Sequence, residues 1–295
     1  MINTTMDLRE ARKQFIIDLE SKNRSKATVI AYGKDIEQLV EYLDKVKGKT
    51  APSEPTKEDI DGFMTSLRDK GFTNKSISRK TNSTKTFFKF LRNSNVINED
   101  PALLVAHPKF ETKPPRILTK LEYRALRDAC RHDKRTSAIV ELLLQTGIRI
   151  GELASLKIVD ITFSKDETTH GSLHVTAENG TERDIPLNRA VQSALRDYLD
   201  IRGSINSESL FVTKTGNPLL IRNIRTAIDR YFRLAGIDNA KVNDLRHTFI
   251  AHHLRRGTSL VVVSRLTGHK RLATTEKYLQ YIDRVDDEKI ELDEL

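Results

Sequence analysis

Between His107 and Thr119 the chain reads His-Pro-Lys-Phe-Glu-Thr-Lys-Pro-Pro-Arg-Ile-Leu-Thr, a basic stretch with three prolines and no apolar periodicity. Proline removes a backbone donor and restricts the residue before it to extended backbone, so neither a helix nor a central strand crosses this stretch. The 295 residues are therefore expected to fold as two bodies, each long enough for its own core. Pro114-Pro115 favours an extended path between them.

The first half reads as four or five amphipathic helices with short polar breaks. From Thr28 to Leu43, apolar residues recur at spacings of three and four, the mark of one buried helical face. Gly48, Pro52 and Pro55 break the pattern, and Thr56 with Asp59 forms a capping box opening a helix that runs to about Lys70. The segment from Lys75 to Arg92 carries Lys75, Arg79, Lys80, Lys85, Lys89 and Arg92 with no acidic residue, while Ile77, Phe87, Phe88 and Leu91 supply an apolar face. A helix with such a one-signed polar face suits a phosphate backbone, so these basic residues are candidate DNA contacts.

The second half is mixed. Helical periodicity covers Lys120 to Cys130, with Thr119 and Glu122 as a capping box, then Ser137 to Thr146 and Gly151 to Leu156. Ser172 to Thr176 and Glu182 to Leu187 alternate like a hairpin about Asn179-Gly180. Helices return at Ala190 to Ile201, Ile221 to Ala235, Asp244 to Arg255 and Ser259 to Leu266. The end of the chain, from Asp283 to Leu295, is acidic with a few apolar anchors.

Lys plus Arg number 50 against 41 Asp plus Glu, a net charge of +9 that favours polyanionic partners. The single cysteine, Cys130, excludes an intrachain disulfide and a cysteine-based metal site. With no apolar run of about 20 residues and no secretory pattern at the N-terminus, the expected setting is the cytoplasm, with no membrane association.

Four residues carry chemistry when taken together. Arg149 follows Thr146-Gly147-Ile148, Arg246 lies in Leu245-Arg246-His247, His269 ends Thr267-Gly268-His269, and Tyr278 stands nine residues further on. Two guanidiniums hold the non-bridging oxygens of a phosphoryl transition state in a fixed fork without any metal. The phenol is the nucleophile in such a set.

In order and spacing, Thr-Gly-Ile-Arg-Ile-Gly-Glu-Leu, a hairpin, Leu-Arg-His-Thr-Phe, Thr-Gly-His and Ala-Thr-Thr-Glu-Lys-Tyr resemble the catalytic domain of the tyrosine recombinases, close to the Xer and phage-integrase branch. The first half resembles the helical, SAM-like core-binding domain of that family. The resemblance implies a mainly α fold with a small β-hairpin or sheet (α+β). It places a core-binding domain at residues 1–106, a linker at 107–119, a catalytic domain at 120–282 and a protomer-exchange segment at 283–295, the two domains closing on DNA as a C-shaped clamp. It implies a site-specific recombinase that cuts and rejoins double-stranded DNA through a 3'-phosphotyrosyl intermediate, as a homotetramer on two sites. No cofactor or metal is expected; an association with the nucleoid and accessory DNA-bending or partner recombinase proteins are.

The same resemblance makes Arg149 and Arg246 the phosphate clamp, His269 a hydrogen-bond partner of the phosphate and Tyr278 the nucleophile, with Glu152 and His247 in support. Tyr281 is a rival nucleophile that the family spacing disfavours. Two positions depart from the pattern. Glu178 stands in the hairpin turn where the family usually has a lysine as general acid, and Asn243 stands where it usually has a histidine. A carboxylate at 178 repels phosphate, and an amide exchanges no proton at a useful pKa. Lys165 or Lys241 reaching in, a residue at 178 that slows cleavage, or protonation through water all remain open. Two further readings fit the same scaffold: a DNA-binding protein with weakened or lost catalysis, and a type IB topoisomerase.

Overall fold

The computed structural model describes residues 6–111, 113–164 and 171–282. It divides into two compact units, 1–112 and 113–295. The tail expected to exchange between protomers, 283–295, and Lys165 lie outside the described residues.

The first unit consists of helices α1 (Leu8–Ser21), α2 (Lys26–Lys47), α3 (Lys57–Asp69) and α4 (Asn74–Asn93). Each starts where a side chain accepts the first orphan amides: Asp7, Ser25, Thr56 and Thr73 serve as N-caps. The Thr56–Asp59 capping box is present, the Asp59 carboxylate accepting the Thr56 amide at 2.9 Å. Their apolar faces meet in a core of Phe15, Ile36, Leu39, Leu43, Ile60, Phe87, Phe88 and Leu91. Phe15 and Phe87 pack edge to face at 5.4 Å. Each such ring contributes about 1.5–3 kcal/mol through burial.

Lys80 does not sit on an outward basic face: it is 3 % exposed, and its ammonium donates to Asp35 Oδ1 at 2.8 Å and Gln38 Oε1 at 2.6 Å. Asp35, on α2, is itself buried and also accepts from Arg79 and from Ser83 Oγ. The physical reason is charge balance, since a buried carboxylate persists only when paired and hydrogen-bonded. Arg79 remains partly exposed, Lys75 and Lys89 are exposed, and Lys85 donates to the Leu103 carbonyl at 3.1 Å.

In the second unit, α5 (Lys120–Cys130), α6 (Lys134–Thr146) and α7 (Ile150–Ser155) precede a three-stranded antiparallel sheet. Its strands are β1 (Ile161–Thr162), β2 (Gly171–Thr176) and β3 (Glu182–Leu187), with β2 central. β2 and β3 form the expected hairpin, with Leu173 opposite Ile185 and Thr176 opposite Glu182. β1 was not expected, because two residues are too short to show alternation. Helices α8 (Arg189–Arg202), α9 (Ile221–Leu234), α10 (Val242–Arg255), α11 (Leu260–Thr267) and α12 (Ala273–Glu276) follow, and a 3₁₀ turn, Lys277–Tyr281, closes the described chain.

Helix α6 is the axis of this unit. Residues Ala138 to Leu144 are all buried, which is the pattern of a helix surrounded on all sides. Leu173, Val175, Ile185 and Leu187 from the sheet and Ile224, Ile228 and Phe232 from α9 join the same core. Cys130 lies in it too, and burial pushes its thiol up to about 11, far from a reactive thiolate. The proline-rich stretch is tied down at both ends. Lys109 O accepts from Asn74 in the first unit, while Leu118 N donates to Thr248 Oγ1 at 2.8 Å in the second. Among the described residues no helix is long and apolar enough to cross a membrane.

Candidate active site

The site begins at the break between α6 and α7. Gly147 ends α6 with φ of +63°, and a Cβ there would lie 2.4 Å from Cδ1 of Phe249 on α10. Only glycine lets the chain turn this tightly against that ring. The turn leaves the Gly147 carbonyl as an acceptor for Arg246 Nη1 and delivers Arg149 to the N-cap of α7. There Glu152 reaches back: its Oε2 accepts the Arg149 amide at 2.8 Å and its Oε1 accepts Arg149 Nη1 at 2.9 Å.

The carboxyl end of α11 gathers the cations. Arg149 Nη2 donates to Gly268 O at 3.0 Å and its Nη1 to Thr267 O at 3.4 Å, while Arg246 Nη2 donates to Thr267 O at 2.7 Å. Arg183, on β3, donates through Nε to Leu266 O at 2.7 Å. The last carbonyls of a helix carry partial negative charge and have no partners within it, so guanidiniums satisfy them. Gly268 ends the helix with φ of +65°. His269 follows, its amide donating to Ser264 O at 3.0 Å and its Nδ1 lying 2.8 Å from Oγ1 of the fully buried Thr275.

The electrostatics follow from this crowding. Burial, then the Arg149 charge, pull the Arg246 guanidinium down to about 10, so it stays protonated at neutral pH. Burial and then the Arg246, Arg149 and Arg183 charges hold His269 down at about 4, a neutral imidazole. For Glu152, burial favours the neutral acid, but the bonds from Arg183 and Arg149 overcome it and keep the carboxyl below its ordinary value. Burial raises the Tyr278 phenol, partly offset by Arg246, so it begins protonated.

Tyr278 lies in the 3₁₀ turn and packs with Phe249, Leu254, Val263 and Ile282 in a small apolar cluster. Its ring meets that of His247 edge to face, with centroids 5.9 Å apart. The His247 tautomer is assigned from its neighbours. An amide nitrogen only donates, so Asn243 Nδ2, at 2.6 Å, makes His247 Nε2 the acceptor; Nδ1 then carries the proton and faces Asp244 Oδ1 at 3.4 Å. Asn243 thus fixes the ring beside the phenol.

The structure therefore gathers Arg149, Glu152, Arg246, His247, His269, Tyr278 and, through His247, Asn243. It does not bring Glu178 into this set. That residue sits in the exposed turn closed by Ala177 N to Thr181 O and Gly180 N to Ala177 O, each 2.8 Å. Lys241, exposed, precedes α10 and is engaged there through its backbone amide, which donates to Asp244 at 2.8 Å. Arg183 and Thr275 were missed. On an alternating strand Arg183 reads as outward polar, and nothing local marks a threonine that will support a histidine six residues away. The outward face of α9, with Arg222, Arg225 and Arg233 exposed, was also missed; the recurrence of arginine at 222, 225, 230 and 233 was the available signal.

Holding His269 neutral makes stability depend on pH. Its folded pKa lies below the ordinary 6.5, so on acidification the unfolded chain takes up the proton first. The stability it confers is complete above about pH 6.5 and is lost as pH falls toward 4. Urea unfolding at pH 7 and pH 5 is expected to show a larger loss for the native chain than for His269→Gln; equal losses would mean that the ring is not held neutral.

Comparison with known proteins shows the family of the chain. The phage integrase family model matches residues 116–284, and that of the phage integrase N-terminal SAM-like domain matches 13–95. Tyrosine recombinase XerC of Roseiflexus castenholzii is 30% identical over 271 residues, covering 88% of this chain and 84% of its own. In fold, the chain is similar to XerH bound to palindromic difH substrate in a post-cleavage complex, with a TM-score of 0.73, 17% identity and 93% and 81% of the two chains covered. It is similar also to a lambda integrase tetramer bound to a Holliday junction, with a TM-score of 0.71, 19% identity and 98% and 81% covered. Two arginines, a histidine and a tyrosine brought together from segments far apart in sequence, on a chain matched by both domain models, make this protein a member of the phage integrase family of tyrosine recombinases.

Proposed function

We infer that the chain is a site-specific recombinase that cuts and rejoins double-stranded DNA, with Arg149 and Arg246 as phosphate clamp, His269 as a phosphate hydrogen-bond partner and Tyr278 as nucleophile. The observation that carries this reading is the convergence of both guanidiniums on the Thr267 carbonyl, two residues before His269. A phosphate seated against them would have its non-bridging oxygens neutralised where charge develops. The Tyr278 oxygen attacks phosphorus, the bond to the 5'-oxygen breaks, and a 3'-phosphotyrosyl bond with a free 5'-hydroxyl results. The phenol loses one proton and the leaving oxygen gains one. His269, held neutral, has one N–H to give a phosphate oxygen, and solvent takes up the phenol's proton and supplies that of the leaving oxygen. The phosphotyrosine conserves the bond energy, so a different 5'-hydroxyl reverses the step.

In this reading residues 1–106 bind the core site, 107–119 link, 120–282 catalyse and 283–295 pass between protomers of a tetramer on two sites. Lys75, Lys85, Lys89 and Arg79 of α4 and the arginines of α9 supply phosphate contacts, which would make affinity fall steeply with salt. The protein would act in the cytoplasm, at the nucleoid, with accessory DNA-bending proteins or a partner recombinase where its site requires them. The test is a nicked suicide substrate carrying the target site: the chain should become covalently attached. Tight binding without any adduct would overturn the enzymatic reading.

A second reading, a scaffold that binds DNA with weakened catalysis, is favoured by the acidic Glu178 in the hairpin turn. General acid catalysis is worth about 10² to 10⁴ in rate. Glu178→Lys is expected to accelerate single-turnover cleavage at least ~10-fold; an unchanged rate would show that this turn does not protonate the leaving oxygen.

A further inference from the structure

Glu152 is not served by Arg149 alone. Arg183 donates to it bidentately, Nη1 to Oε1 at 3.1 Å and Nη2 to Oε2 at 2.8 Å, and both side chains are almost wholly buried. With the Arg149 amide and Nη1 added, each carboxylate oxygen accepts two donors. The third arm of Arg183, Nε, holds Leu266 O. Its guanidinium also lies against Gly268, where an added Cβ would stand 3.0 Å from Nη1 and 3.1 Å from Cζ. One side chain of β3 therefore touches both the carboxylate behind Arg149 and the loop that carries His269.

We propose that Arg183 is a positioning residue of the active site, one that orients Arg149 and the His269 loop and keeps the charge of Arg149 available for the phosphate. The proposal rests on the reading of Arg149 and His269 as phosphate-binding groups. Its logic is charge and geometry. Arg149 and Glu152 by themselves form a neutral pair, in which the carboxylate competes with phosphate for the same guanidinium. Arg183 occupies one lone pair on each oxygen and restores a net positive charge to the trio. It also fixes the carboxylate in the orientation that caps Arg149. The hairpin, whose tip carries Glu178 in place of a cation, thus delivers its cation to the site from the strand.

The experiment compares single-turnover cleavage of a suicide substrate by saturating protein, at a temperature where each variant is folded by circular dichroism, for the native chain, Arg183→Gln, Arg183→Lys, Glu152→Gln and the Arg183→Gln/Glu152→Gln double variant. Arg183→Gln is expected to slow cleavage ~30- to 100-fold, the scale of a small misplacement of a catalytic group, with site affinity within about threefold. Arg183→Lys keeps the charge but not the fork, and is expected to recover only part of the rate. In the double variant the deficits should not multiply, because no unpaired buried carboxylate remains. A residue that merely supported the fold would lower thermal stability while leaving the cleavage rate of the folded, bound protein unchanged. Arg183→Gln cleaving within about threefold of the native rate, or deficits that multiply, would overturn the proposal; should Arg183→Gln not fold, Arg183→Lys at the native rate does so. If the native chain itself forms no adduct, it is the recombinase reading that fails.

Discussion

Tyr278→Phe is expected to bind the target site with native affinity and to form no covalent adduct on a suicide substrate, judged by a DNA-shifted band under denaturing conditions. The substitution is clean because the ring, not the hydroxyl, does the packing: it sits among Phe249, Leu254, Val263 and Ile282, and phenylalanine keeps that volume. In the proposed reading the hydroxyl does the chemistry. Burial raises its pKa, partly offset by Arg246, so the phenol starts protonated. Tyr281, three residues on and 38% exposed, lies in the same 3₁₀ turn, and Tyr281→Phe should retain the adduct. An adduct formed by Tyr278→Phe at the native rate would remove Tyr278 from its role.

Arg246→Lys is expected to lower the cleavage rate at saturating protein by ~10² to 10³, the cost of losing one preorganised donor to a developing oxyanion. Arg246 is 5% exposed and its two terminal nitrogens already serve Gly147 O and Thr267 O. A lysine at this depth keeps a charge but offers a single point in place of the planar fork, so one of those carbonyls loses its partner and the backbone on either side of the site is released. Some stability should be lost as well, because a buried acceptor without a donor costs about 1–3 kcal/mol. The rate must therefore be read on folded, DNA-bound protein; a rate within about threefold of native would show that the fork is not needed.

What could be read from the chain, and what could not, divides along sequence distance. The capping boxes at Thr56–Asp59 and Thr119–Glu122 and the hairpin about Asn179-Gly180 were legible because each signal spans only a few residues. All seven of the gathered residues were named from motif order. Lys80 was misplaced because its partner, Asp35, is 45 residues away; within α4 alone it is one more basic residue on a polar face. Arg183 was missed for the same reason, since Glu152 is 31 residues earlier and Leu266 is 83 later. A two-residue strand such as β1 exists only because β2 lies beside it. The positions that tertiary pairing decides were the ones that local pattern could not show.

The central claim is that a single named oxygen attacks DNA. It is tested most directly by trapping the protein on a suicide substrate, digesting both components and fragmenting the nucleotide-bearing peptide in a mass spectrometer. The account predicts the nucleotide mass on Tyr278. The same mass on Tyr281, or a chain that stays bound to its site yet never carries a nucleotide, would contradict it.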